Sequence, residues 1–237
     1  MSEAKYKRVL LKLSGEALAG EDKNGINQDI MTSICTVIKR VHDKGVQIAI
    51  VVGGGNFWRG KYAPDMEKSS ADIMGMLATT MNGLALQDAL EKHGVPSRVQ
   101  TAFAIEHISE PFIQRKAVQY LEQGRVVIFV GGTGSPFFST DTAAALRACE
   151  IHADAVLAAK NIDGLYTADP KEDPSATKID YITFNEVLER NLKAMDLTAM
   201  TLCKENNIGL RIFGLNDPDN IERAINEESI GTIINNG

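Results

Sequence analysis

Apolar residues gather in short, nearly unbroken runs. Between them lie longer stretches in which apolar positions recur every three or four residues. The runs are RVLLKL at 8–13, VQIAIVV at 46–52, VVIFV at 126–130, AVLAA at 155–159 and LRIF at 210–213, with weaker ones near 98–101 and 232–235. Their length, β-branched content and lack of polar alternation predict strands buried on both faces. The helical period falls near 28–44, 71–93, 110–123, 141–151, 184–190, 196–206 and 217–227. Strands and helices in alternation predict an α/β fold whose parallel sheet is covered on both sides.

Punctuation agrees with this reading. Lys44-Gly45 and His93-Gly94 place a cation and then a glycine at helix ends, where carbonyls are unpaired and left-handed backbone is wanted. Asp217-Pro218 reads as a cap before a first-turn proline, and Asp141 follows two hydroxyl residues at another helix start. No repeat or low-complexity linker interrupts the pattern, so 1–237 is expected to be one domain. Two polar stretches stand out: 59–70, expected to be a loop, and 160–178, too long for a simple turn and expected to be a binding loop.

Composition narrows the function classes. Lys and Arg number 25 against 31 Asp and Glu, a formal charge of −6. That balance, without a basic stripe, speaks against a nucleic-acid partner. Cys35, Cys149 and Cys203 are widely spaced, an odd set with no CxxC, which reads as buried free thiols. No run of about 18 apolar residues offers a membrane span. No secretory leader pattern is read at the start of the chain, so the cytoplasm is the expected compartment.

The chemistry is expected where open α/β sheets bind ligands, at the carboxyl ends of the strands. Three strand ends run into glycine and polar residues: KLSG (Lys12, Leu13, Ser14, Gly15), GGGNFWRG (Gly53, Gly54, Gly55, Asn56, Arg59) and GGTGSPFFSTD, ending at Asp141. Bare backbone lets peptide N–H groups approach a ligand, and a following helix adds positive charge, a combination suited to phosphate. Neither GxxxxGK[ST] nor an intact GxGxxG occurs, and kinase-type HRD and DFG elements are missing. The histidines fall outside these motifs: His42 and His93 read as solvated caps, His107 and His152 as partly buried imidazoles.

KLSGEAL, GGGNFWRG, DIMGMLATTMNGLALQDAL, GTGSPFFSTDTAAALRA and NIDGLYTADP, in this order from about Lys7 to Ile234, resemble the uridylate kinases of the amino-acid-kinase fold family. The resemblance implies an αβα sandwich around a mainly parallel sheet of about eight strands. It implies transfer of the γ-phosphoryl of ATP to UMP with Mg2+, a homo-oligomer of hexamer type, activation by GTP and inhibition by UTP. By position it places Lys12, Leu13, Ser14, Gly15, Gly55, Arg59, Asn161, Tyr166 and Asp169 toward ATP, with Lys160 sharing the place of Asn161. It places Gly54, Asp72, Thr133, Gly134, Ser135, Pro136, Phe137, Phe138, Ser139 and Thr140 toward UMP. Gly20, Glu21, Asp22, Lys23, Asn24 and Gly25 match the segment tied to GTP, and Lys61 is carried over beside Arg59.

In such a reaction Lys12, Arg59 and Asp141 are the catalytic candidates. The acceptor is a phosphate oxygen, largely ionised near neutral pH, so no histidine base is required. Asp141 reads either as an organiser of Lys12 and the loop amides or as a helix cap. Phe137 and Phe138 read either as core or as rings flanking uracil. Helix 71–93, with Met74, Met76, Leu77, Met81 and Leu84, reads as core or subunit interface.

Overall fold

The computed structural model describes residues 6–237 apart from 23, 61, 62, 171 and 227. In chain order the elements are β1 (Arg8–Leu13), α1 (Gly15–Ala19), α2 (Gln28–His42), β2 (Gln47–Val52), α3 (Lys68–Lys92), β3 (Ser97–Thr101), β4 (Glu110–Pro111) and α4 (Gln114–Glu122). They continue with β5 (Val126–Val130), α5 (Thr140–Glu150), β6 (Ala155–Lys160), β7 (Leu165–Tyr166), β8 (Lys178–Ile179), β9 (Tyr181–Thr183), α6 (Phe184–Glu189), α7 (Leu197–Glu205), β10 (Gly209–Gly214), α8 (Asn220–Ile225) and β11 (Thr232–Asn235).

Nine strands form one sheet in the order β4-β3-β5-β2-β1-β6-β10-β11-β9. Every pair in it is parallel except β10 with β11. The seven apolar runs all become strands. The sheet exceeds the expected eight because β4 and β9 are too short to show a period of their own. Helix 110–123 accordingly starts later, at Gln114, since Pro111 lies in β4 at the sheet edge, where a missing N–H costs nothing.

Strand alternation builds two cores. Val9, Leu11 and Leu13 of β1 face α2, α3 and α8, where Ile34, Ile38, Leu86 and Ile221 pack. Leu10 faces the opposite layer, with Ala144 and Ala148 of α5 and Cys203 of α7. Successive side chains point to opposite faces, so Lys12 and Lys160 fall on the same side as Leu10, Val156 and Ala158. That side carries α5.

Local chemistry fixes the helix ends. Asn27 accepts from Asp29 N and Ile30 N at the start of α2, and Thr183 with Glu186 closes a capping box on α6. Gly45 and Gly94 take φ of +85° and +77°, as expected past helix ends. Asp217-Pro218 does not open α8 directly. Asp217 accepts from Asp219 N and forms a turn, and the helix begins at Asn220. The 59–70 stretch is not all loop, because Glu67 caps a helix that starts at Lys68, three residues before the apolar period begins. In the 160–178 stretch β7 and β8 pair as an antiparallel ribbon.

Candidate active site

The three glycine-rich segments leave adjacent strands, β5, β2 and β1, with β6 next in line, so their loops meet at one sheet edge. They touch closely enough to require glycine. A Cβ on Gly15 would lie 2.4 Å from Asn56 Oδ1 and 2.8 Å from Gly53 O. A Cβ on Gly54 would lie 2.7 Å from Gly75 O in α3. Gly54 thus admits the α3 backbone, a packing reason beside any ligand contact.

Beneath these loops sits a charge cluster. Lys12 Nζ lies 2.9 Å from Asp141 Oδ1, and Lys160 Nζ lies 3.3 Å from Oδ2. The three side chains are only 11–20% exposed. Lys160 also donates to Ala194 O at 2.6 Å. Burial alone would raise the Asp141 carboxyl, but Lys12 and Lys160 outweigh it and hold its pKa below the ordinary value. Burial pushes Lys160 down from the usual lysine range, and Asp141 only partly offsets it. Asp141 is not the cap of α5. That cap is Ser139, whose Oγ accepts from Asp141 N at 3.0 Å and Thr142 N at 3.1 Å. A first-turn position in α5 aims the carboxylate at the lysines.

Of the residues expected on the ATP side, Gly55, Arg59, Asn161, Tyr166 and Asp169 line one open cleft of about 2170 Å³ together with Glu16, whereas Lys12, Leu13, Ser14 and Gly15 do not line it. Arg59 is ion-paired with Glu16 and donates to Gly55 O at 3.1 Å. Asn161 Nδ2 reaches Glu16 Oε2 at 3.3 Å. Ser14 caps α1 by accepting from Ala17 N, while the Leu13 side chain is in the core and its carbonyl accepts from Gly53 N. Tyr166 donates to Asp163 Oδ1 at 2.8 Å, which raises its phenol pKa. Asn161 lies in the cleft wall, whereas Lys160 turns inward to Asp141.

Gly20, Asp22 and Asn24 line this same cleft rather than a separate one. Glu21 lies in the 3-10 turn Gly20–Asp22, and Gly25 O accepts from Asn56 Nδ2 at 2.7 Å. Lys23 and Lys61 lie outside the described residues.

On the expected UMP side, Asp72 of α3 meets the 133–140 loop. Its Oδ2 accepts from Phe137 N at 2.8 Å. Thr133 Oγ1 braces the turn through Ser135 N and O. Gly134, at φ +85°, approaches Ala102, a Cβ there falling 3.2 Å from the Ala102 carbonyl. Pro136 is half-buried, and Thr140 opens α5 behind Ser139. Phe137 and Phe138 are not core. They are 66% and 53% exposed, and Phe137 adopts φ +73°.

Several site-supporting residues escaped the sequence reading. Asp196 accepts from the Ser139 and Thr142 hydroxyls and from Ala199 N, tying the N-termini of α5 and α7 together. Asn82, fully buried in α3, donates to Gly53 O at 2.7 Å and exchanges hydrogen bonds with Asn56. A polar residue inside an apolar helical period was the available signal for Asn82; Asp196 gave none beyond its place as a cap. His42 and His93 stand at helix ends as expected, His93 as the C-cap of α3, but both are half-buried and each ring bonds a carbonyl, Gly124 O and Ala89 O, at 2.7 Å. His107 and His152 are exposed rather than partly buried, both at positive φ. Cys35 and Cys203 are buried, their thiols pushed up to about 12 by burial; Cys149 is half-buried.

The donor set suits magnesium carried by a nucleotide. Among the described residues no group of three or more His, Cys, Asp or Glu side chains could hold a metal ion. One buried carboxylate, Asp141, stands at the strand ends, its Oδ1 in no well-directed hydrogen bond. Mg2+ keeps waters and phosphate oxygens and takes only one or two protein carboxylates.

A parallel sheet with glycine loops and a Lys–Asp–Lys cluster at its carboxyl edge is the framework of an α/β phosphotransferase. The chain belongs to the amino acid kinase family, whose pattern matches residues 7–214. It is 55% identical to a uridylate kinase of Limosilactobacillus reuteri over 237 residues, 99% of each chain. It is equally identical to one of Pediococcus pentosaceus, covering 99% of this chain and 98% of the other. Among solved structures it is similar to the UMP kinase of Bacillus anthracis, with TM-score 0.94, 38% identity and 97% and 96% of the chains covered. For that of Ureaplasma parvum the values are 0.92, 38%, 98% and 99%.

Proposed function

We propose that this chain transfers the γ-phosphoryl of ATP to UMP, giving UDP and ADP. The observation that carries the chemistry is the Lys12–Asp141–Lys160 cluster at the ends of β1 and β6 beside three glycine loops. The relatives named above support UMP as acceptor. A phosphate oxygen of UMP attacks the γ-phosphorus, the bond to the bridging oxygen of ADP breaks, and no proton has to be removed from an ionised phosphate. The protein's work is therefore positioning and charge stabilisation.

Lys12, held by Asp141, meets charge developing on the transferred group, and the N-terminus of α5 adds its partial positive charge. Asp141 holds both lysine side chains in place, one on each carboxylate oxygen. Arg59 exchanges Glu16 for phosphate oxygens, with Gly15 and Gly55 as bare backbone beside them. Asn161, Tyr166 and Asp169 face the donor nucleotide. Asp72 and the Thr133–Thr140 loop hold the acceptor, with Phe137 and Phe138 beside the base. Asp141 would be the protein ligand of a magnesium ion carried by ATP, which would supply neutralisation of phosphate charge.

The reading extends to assembly and control. Ile73, Leu77, Met81 and Leu84 are 36–53% exposed along α3, an apolar stripe suited to a second copy of the chain in a hexamer-type assembly. Activation by GTP through Gly20–Gly25, inhibition by UTP and a cytoplasmic location belong to the same proposal, as does a single domain over 1–237. No helix among the described residues is long and apolar enough to cross a membrane. ADP release with a panel of acceptors tests the function. Turnover with UMP is expected; turnover with glutamate, aspartate or carbamate but not UMP would reject it.

A further inference from the structure

One cation on the acceptor side has no part in the function described so far. Lys68 is the first residue of α3, and its placement is fixed from two directions. Glu67 caps the helix by accepting from Ser70 N at 2.9 Å, and Trp58 Nε1 donates to Ala71 O at 2.8 Å. From there Lys68 Nζ reaches Asp72 Oδ2 at 3.2 Å and lies 5.5 Å from the centroid of the Phe137 ring. The same Asp72 oxygen accepts from Phe137 N. One ammonium thus touches both the acid and the ring that frame the acceptor site.

The arrangement runs against what helix stability alone favours. A lysine in a first turn opposes the helix dipole, and lysine four residues before an acid is the weaker order for an ion pair. Phe137 is equally unsupported by its own surroundings. A left-handed backbone at a mostly exposed phenylalanine must be held from outside, because neither burial nor intrinsic preference holds it. Asp72 holds its peptide N–H and Lys68 lies over its ring face.

We propose that Lys68 is a positioning residue for the acceptor nucleotide. It fixes Asp72 and the Phe137 ring in the conformation that receives the nucleoside of UMP, and it offsets the Asp72 charge as the acceptor phosphate enters. Oδ2 is occupied by the Phe137 N–H and Oδ1 lies 3.4 Å from Lys68 Nζ, so the lone pairs of Oδ1 that Lys68 does not use are left for the sugar. This inference rests on the UMP reading above.

Initial rates with UMP varied at saturating ATP, for wild type, Lys68→Met and Lys68→Arg, test it. An exposed ion pair and one cation–π contact correspond to a rise of roughly three- to tenfold in KM for UMP in Lys68→Met. The rise is expected in KM for UMP and not in KM for ATP, with kcat lowered far less than KM is raised. Lys68→Arg restores most of the loss. Unchanged KM for UMP in Lys68→Met, or equal losses for both nucleotides, overturns this inference while wild-type turnover leaves the UMP reading intact. Absence of wild-type turnover with UMP overturns both.

Discussion

Lys12 Nζ stands 2.9 Å from Asp141 Oδ1 across the junction of β1 and α5, and Lys160 takes the other oxygen from β6. One carboxylate therefore sets the position of two cations carried by neighbouring strands. Removing Lys12 leaves Asp141 and Lys160 paired, so the fold keeps a neutral pair while the site loses a charge. Lys12→Met is expected to lower kcat by about 10²-fold or more, with KM for UMP changed by no more than about threefold. Steady-state kinetics check this, and near-normal kcat would remove Lys12 from the chemistry.

The same cluster gives stability a pH dependence of known sign. Lys12 and Lys160 hold the Asp141 carboxyl below its ordinary 3.8 despite burial. A depressed carboxylate contributes stability that is present above the unfolded pKa and lost as pH falls through the folded one. Denaturant unfolding of wild type and Asp141→Asn is expected to converge below about pH 4, the wild type losing more. Parallel curves in that range would contradict the assignment.

Phe137 carries backbone strain at φ +73° while most of its ring is exposed. Phe137→Gly is expected to raise stability by about 0.5–1 kcal/mol, relief of the left-handed penalty exceeding the entropic cost of glycine. KM for UMP is expected to rise in the same variant. Thermal melts and kinetics measured together check the opposite signs.

The apolar stripe on α3 is centred on Met81, 53% exposed. Met81→Asp places a charge in any contact built on that stripe and is expected to reduce the assembly mass measured by light scattering. Unchanged mass would place the contact elsewhere.

Much of the site was legible because its signals are local. Glycines after buried strands, and a lysine in phase with Leu10, mark Lys12, Gly15, Gly54 and the 131–141 loop from sequence alone. Arg59 stood out with the GGGNFWRG strand end, whereas Asp72 became a candidate only through resemblance, since an acid on a polar surface carries no local signature. Lys160 was uncertain because its place in the loop could be counted two ways; only its phase in β6, shared with Val156 and Ala158, aims it at Asp141. Asp196, Asn82 and Lys68 reach partners far away in sequence, as with Asp196 on Ser139, Asn82 on Gly53 and Lys68 on Phe137, and no local period encodes such pairings. Strands β4 and β9 were missed because two or three residues show no alternation.

The most direct measurement follows the phosphoryl group itself. Wild type and Lys12→Met are incubated with ATP, magnesium and UMP, and the nucleotides are separated over time. The expected result is UDP and ADP appearing in equal amounts with the wild type and at a rate lower by about 10²-fold or more with the variant. ADP without UDP, or equal UDP formation by both proteins, would contradict the account.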